Sequence, residues 1–167
     1  MQLKGSHIVN AKVTDLFTML MDTDTLARIV PGISRLEKTG DNTFKSFIDI
    51  KMGLISGSFT GNLQMENIAA GESFTLKTQQ SSGIGKANAT IKIDLARVDD
   101  NQTEISFDGD VKLAGLLAGM GQRVLGSVAN TLSKQFFSNL EKELLAPSNT
   151  SLQQATNAVD LKDGQDN

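Results

Sequence analysis

The stretch Ile55-Ser-Gly57-Ser-Phe59-Thr-Gly61-Asn-Leu63-Gln-Met65-Glu66 alternates without a slip between two kinds of residue. A period of two sends successive side chains to opposite faces of a strand, so the odd-numbered residues face a core and the polar, even-numbered ones face water. Gly57 and Gly61 stand on the core-facing parity, between large apolar side chains. A sheet that turns glycines toward its core leaves gaps there, and the gaps predict a cavity. The alternative is that the glycines only bend the strand and admit close packing.

Working outward, the pattern changes to period two from Ile33, and Phe44, Ser46, Ile48, Ile50 and Met52 alternate against Lys45, Phe47, Asp49 and Lys51 and then turn at Gly53, which makes a hairpin with the first stretch. Three more strands are predicted, Ser73–Ser81, Ala87–Ala96 and Thr103–Leu113, with turns at Gly71-Glu72, Gly83-Ile84-Gly85 and Asp99-Asp100-Asn101. Ala87, Ala89 and Gly109 fall on inward parities and add to the space. Upstream, Gln2–Val9 reads as a strand. Asn10 is placed to cap a short helix carrying Val13, Leu16, Phe17 and Leu20, and Asp22 to cap a second, about Thr23–Ile29, that stops before Pro31-Gly32.

Downstream, Leu117, Met120, Val124, Val128, Leu132, Phe136, Leu140 and Leu144 recur at three- or four-residue spacing. They predict one long helix from about Leu116 to Leu144, roughly 43 Å in length, whose start is kept slim by Gly115, Ala118, Gly119 and Gly121. The order strand, two short helices, six strands, long helix gives an α+β fold: a curved antiparallel sheet of about seven strands around the C-terminal helix. Such a sheet encloses more volume than one helix fills, and a largely apolar ligand pocket follows. Residues 1–145 form one domain. Ala146–Asn167, rich in Ser, Asn, Gln, Thr and Asp, reads as a disordered polar tail.

Composition excludes several function classes. Of 16 Lys/Arg and 19 Asp/Glu, the tail takes Lys162 against Asp160, Asp163 and Asp166, so the folded part is nearly neutral and has no basic field for nucleic acid. With no Trp, no Tyr and eight Phe, it offers bases little to stack on. The absence of cysteine removes thiol nucleophiles, iron–sulfur clusters and cysteine zinc sites. No N-terminal apolar run resembles a signal peptide and no stretch approaches the ~20 apolar residues of a spanning helix, so a cytoplasmic location is expected.

Several pieces, in this order, resemble the CoxG family of carbon monoxide dehydrogenase subunits, within the START-like, or SRPBCC, helix-grip superfamily, which includes the Bet v 1-like fold. They are Leu3-Lys-Gly5 with Val9-Asn-Ala11; Asp22-Thr-Asp-Thr-Leu26 leading into Ile29-Val-Pro31-Gly32; Met52-Gly53 before Gly57-Ser-Phe59-Thr-Gly61; Gly83-Ile-Gly85-Lys86-Ala87; and Leu113-Ala-Gly115-Leu-Leu-Ala-Gly119-Met-Gly121-Gln-Arg123 before Gln135-Phe136-Phe137. The resemblance implies a non-enzymatic accessory protein of a molybdenum CO dehydrogenase or related hydroxylase, which binds a quinone in its cavity and recruits the enzyme to the inner face of the cell membrane. The tail departs from this picture, being acidic and polar without an apolar or basic stretch to hold a bilayer.

Candidate lining residues come from the inward parities and the helix stripe. Met52, Met65 and Met120, with Phe44, Phe59, Phe74 and Phe107, offer adaptable or flat surfaces for a ring or an isoprenoid, and Ile48, Ile50, Leu63, Leu117 and Val124 complete the set. The same residues would also make an ordinary core. Arg123, beside Val124 at the start of the helix, is placed to donate to a quinone carbonyl or an acyl carboxylate at the mouth, unless it snorkels or pairs with a surface acid such as Asp108.

Other chemistry finds little support. His7 is the only histidine, shares parity with Leu3, Gly5 and Val9, and reads as structural. Asp108 with Asp110, and Asp99 with Asp100, read as solvated carboxylates and not as a metal site. Gly83-Ile-Gly85 and Gly119-Met-Gly121 do not complete a nucleotide-binding loop. The resulting expectation is a binding protein for a lipophilic molecule, a quinone or other lipid, with no covalent cofactor and no metal. The competing readings are a docking or assembly factor that works through its surface, and a cavity enzyme of the cyclase or hydrolase kind.

Overall fold

Period-two patterning becomes a single seven-stranded antiparallel sheet in the computed structural model, which describes residues 1–145. Strand β1 (Gln2–Val9) leads into helices α1 (Val13–Leu20) and α2 (Thr23–Ile29). Six strands follow: β2 (Ile33–Gly40), β3 (Thr43–Met52), β4 (Ile55–Ala69), β5 (Ser73–Ser82), β6 (Gly85–Asp99) and β7 (Gln102–Ala114). A 3-10 turn (Gly115–Gly119) then precedes helix α3 (Gln122–Leu145). The strand order is β1-β7-β6-β5-β4-β3-β2, so α1 and α2 carry the chain from one edge of the curved sheet to the other. The tail expected to be disordered, Ala146–Asn167, lies outside the described residues.

Two sequence expectations are corrected. Asn10 does not cap α1: the N-cap is Lys12, with extended backbone and no side-chain bond, while Asn10 Oδ1 accepts from Gln102 Nε2 (3.1 Å). Asp22 does cap α2, accepting from the backbone N–H of Thr25 (3.0 Å) and its hydroxyl (2.7 Å). The second correction concerns the long helix. Gly115 (φ +73°) and Gly121 (φ +83°) take left-handed backbone, which ends a helical run and which glycine adopts at little cost. The helix therefore begins at Gln122 and not at Leu116, and its 24 residues extend about 36 Å. Leu117 and Met120 belong to the 3-10 turn and its cap.

The two halves of α3 are held differently. Its C-terminal half joins the main core, where Phe137 and Leu140 are buried with Leu16, Leu20, Ile29 and Ile105. Polar ties reinforce this end: Arg28 Nε donates to Glu143 Oε1 (2.8 Å) and Asn139 Nδ2 to the Ile29 carbonyl (3.2 Å). The N-terminal half contributes only half-buried Val124, Leu125 and Val128, packed against a small separate cluster of Ile55, Phe59 and Leu117. Here the helix stands over the sheet without filling the space beneath it.

Candidate functional site

That unfilled space is an apolar chamber of about 300 Å³. Its floor is the inner face of the sheet, with Ile48 and Ile50 of β3, Ile55 and Phe59 of β4, Gln80 of β5, Ala87 of β6 and Val111 and Leu113 of β7. Leu117 closes one end, and Leu125, Val128, Ala129, Leu132 and Ser133 of α3 form the roof. A second apolar chamber of about 210 Å³ shares Leu3, Leu132 and Ser133 with the first and runs on between Leu76, Ile91, Ile93, Phe107 and Phe136. The two chambers adjoin along these shared residues beneath α3. A polar hollow between β1 and α3, lined by Lys4, Ser6, His7, Asn130 and Lys134 among others, adjoins it.

Register explains how the floor is built. Across β3, β4 and β5 the inward residues pair as Ile50 with Gly57, Ile48 with Phe59, and Ser46 with Gly61 and Gln80. The inward glycines are not equivalent. A Cβ on Gly57 would meet nothing within 4 Å, so Gly57 does leave open space. One on Gly61 would overlap the Gln79 carbonyl oxygen and come within 2.8 Å of Gln80 Cδ, so that gap is filled. One on Gly109 would press on Ile91 Cγ1 (2.7 Å), and one on Gly5 on the Phe107 ring (2.6 Å). Those two glycines serve close packing.

Gly61 allows an unusual crossing. The Gln80 side chain lies over it and reaches β3, where Nε2 donates to Ser46 Oγ (2.8 Å), and the same nitrogen donates to Thr78 Oγ1 (2.8 Å). Ser46 is fully buried and Gln80 is 8% exposed. Gln80 Oε1 has no hydrogen-bond partner and is the one buried side-chain polar atom so placed among the described residues. An otherwise apolar floor thus carries a single amide.

The candidate residues sort into four groups. Ile48, Ile50, Phe59 and Leu117 line the first chamber and Phe107 the second. Phe44, Leu63, Met65 and Phe74 are buried in the main core and line neither. Met120 and Val124 pack against the small cluster beside the first chamber, and Met52 sits half-buried at the end of β3. Arg123 is exposed, lines neither chamber, and its side chain has no ion pair or hydrogen bond among the described residues. Sequence reasoning misses Gln80, although its place on the inward parity of β5 with Phe74 and Leu76 is a readable signal. It also misses Leu125, Ala129 and Ser133, because the side of α3 that roofs the chamber depends on where the helix starts.

The remaining polar candidates have ordinary partners. His7 stacks on Phe137 (ring centroids 4.8 Å) with Nε2 3.3 Å from Glu141 Oε2. Asp108 accepts from Gln2 Nε2 (3.1 Å) and lies 3.8 Å from Lys4 Nζ, while Asp110 faces the N-terminal ammonium (3.5 Å). Among the described residues no group of three or more His, Cys, Asp or Glu could hold a metal, and no helix is long and apolar enough to cross a membrane.

Solved structures share this architecture. A conserved protein from Geobacillus kaustophilus is 27% identical, with a TM-score of 0.84 over 87% of this chain and 95% of that one. A START superfamily protein from Mycobacterium smegmatis (13% identity, TM-score 0.67, 87% and 99% covered) and the Zhui aromatase/cyclase of a Streptomyces species (11%, 0.67, 90% and 99%) show the same fold. No curated protein matches the sequence. The profile of one family, CoxG, described as a subunit of carbon monoxide dehydrogenase, matches residues 5–145. With that match spanning nearly the whole described fold, the chain belongs to the CoxG family.

Proposed function

We propose that this protein is a non-enzymatic carrier whose apolar space takes a lipophilic ligand, a quinone, on behalf of a molybdenum hydroxylase of the CO dehydrogenase type. The observation that carries the reading is the pair of adjoining chambers beneath α3, lined almost wholly by aliphatic and aromatic side chains. Burying apolar ligand surface contributes about 25 cal/mol per Å², so roughly 300 Å² supplies about 7.5 kcal/mol. Micromolar affinity needs about 8 kcal/mol, and the cost of association must be met as well. A ring seated in the first chamber with its isoprenoid in the second would bury more than that minimum. The second chamber thereby becomes part of the site.

Family membership supports the partnership with a CO dehydrogenase-type enzyme, since the family is named for one of that enzyme's subunits. One end of the molecule also suits peripheral contact with a membrane. Leu54 and Leu116 stand 75% and 67% exposed on the turns at the Leu117 end of the first chamber. Lys51, Lys86 and Lys112, near the ends of β3, β6 and β7, and Arg123, at the start of α3, are exposed and have no ion pair among the described residues. Exposed leucines and free cations fit the surface of an anionic bilayer.

The test is a titration with decylubiquinone, following displacement of a bound apolar dye, in the wild type and in Ala129→Trp. Saturable one-to-one binding that the tryptophan abolishes is expected. Binding that is absent in the wild type, or unchanged in Ala129→Trp, refutes the carrier reading.

A further inference from the structure

We propose that Gln80 Oε1 is the acceptor for a hydroxyl or N–H donor on the cavity ligand, so that the site selects phenol-type ligands, hydroquinones among them, over their carbonyl or methylated counterparts. The inference rests on the reading of the chamber as a ligand site. Its ground is separate: Gln80 lines the chamber and is more than nine-tenths buried, and its amide oxygen has no partner.

The orientation of the amide follows from its neighbours. Thr78 Oγ1 donates its proton to the Asn62 carbonyl (2.8 Å), so toward Gln80 it can only accept. If the amide were turned over, Thr78 could satisfy the Gln80 oxygen only by turning its proton away from Asn62, leaving two oxygen lone pairs 2.8 Å apart. The nitrogen therefore faces Thr78 and Ser46, with both of its protons engaged. What remains for a ligand is an acceptor. A carbonyl oxygen brought to it meets like partial charge, whereas a hydroxyl completes the network and relieves the desolvated oxygen.

The absence of Trp and Tyr makes the test clean, because a naphthalene probe can be excited without protein background. The probes are 1-naphthol and 1-methoxynaphthalene, which differ in the donor and neither of which is a redox couple. Wild type is expected to bind 1-naphthol about tenfold more tightly, the order of one net hydrogen bond in a buried site. Gln80→Leu is expected to remove that preference while keeping affinity for 1-methoxynaphthalene. Ser46→Ala, which leaves Oε1 in place, is expected to keep the preference and guards against a Gln80 variant that fails to fold. Equal binding of the two probes by wild type, or a preference that survives Gln80→Leu, overturns the inference and leaves the chamber a ligand site. Failure of both probes to bind overturns the chamber reading and the inference with it.

Discussion

Gly57 and Gly61 occupy the same parity of the same strand, four residues apart, yet the structure assigns them opposite responses to alanine. At Gly57 the new methyl meets nothing within 4 Å and the backbone is ordinary. Gly57→Ala should therefore stabilise by about 0.5–1 kcal/mol, chiefly by restricting the unfolded chain. At Gly61 the methyl would overlap the Gln79 carbonyl of the neighbouring strand and displace the Gln80 amide. Overpacking costs about 1–3 kcal/mol, and orphaning the amide nitrogen and Ser46 in the interior adds about 1–3 kcal/mol. For a chain of this length each kcal/mol moves Tm by about 2–4 °C. Thermal unfolding followed by circular dichroism should show Gly57→Ala a few degrees above wild type and Gly61→Ala lower by roughly 10 °C. A Gly61→Ala protein as stable as wild type, or a Gly57→Ala protein less stable than Gly61→Ala, would refute the assigned register and with it the floor of the chamber.

The two halves of α3 should also differ. Leu140→Ala, at a fully buried site, is expected to cost about 2–5 kcal/mol, whereas Leu125→Ala, which borders the empty chamber, should cost well under that in denaturant unfolding. Asp22→Ala removes the α2 cap and should lower stability by about 0.5–2 kcal/mol, measurable as a shifted denaturation midpoint with unchanged slope. The double variant Leu54→Glu/Leu116→Glu should reduce co-sedimentation with phosphatidylglycerol vesicles without altering decylubiquinone affinity; unchanged sedimentation would remove that end from membrane contact.

Much of this fold is legible in the sequence because alternation and spacing are local. Strict period two places β3 to β7 within a few residues, and Asp22 with Pro31-Gly32 bounds α2. What fails depends on backbone state or on register. The apolar spacing of Leu117 and Met120 continues the helical stripe, but two left-handed glycines, whose sign of φ no side chain announces, divide the segment into a turn and a helix. Asn10 is a good cap residue in the wrong place, drawn instead to Gln102 across 92 positions of sequence.

The cavity is foreseen for reasons only partly correct. Gly57 is open, whereas Gly61 and Gly109 are filled by what pairs beside them, and pairing across strands is invisible in the pattern of any one strand. The amide's place on the inward parity of β5 is legible, but its reach across Gly61 to Ser46 is hidden by the same blindness. Arg123 shows the reverse case: a cation next to an apolar stripe position points out of the chamber because one residue along a helix is a rotation of about 100°.

The most direct test of the account is native mass spectrometry of the protein purified from its own host, with organic extraction of whatever it retains. The account predicts a species carrying one quinone or quinol per chain, released on extraction and lost from Ala129→Trp. A clean unliganded mass from cells that contain quinone, together with no saturable uptake of added quinone, would contradict it.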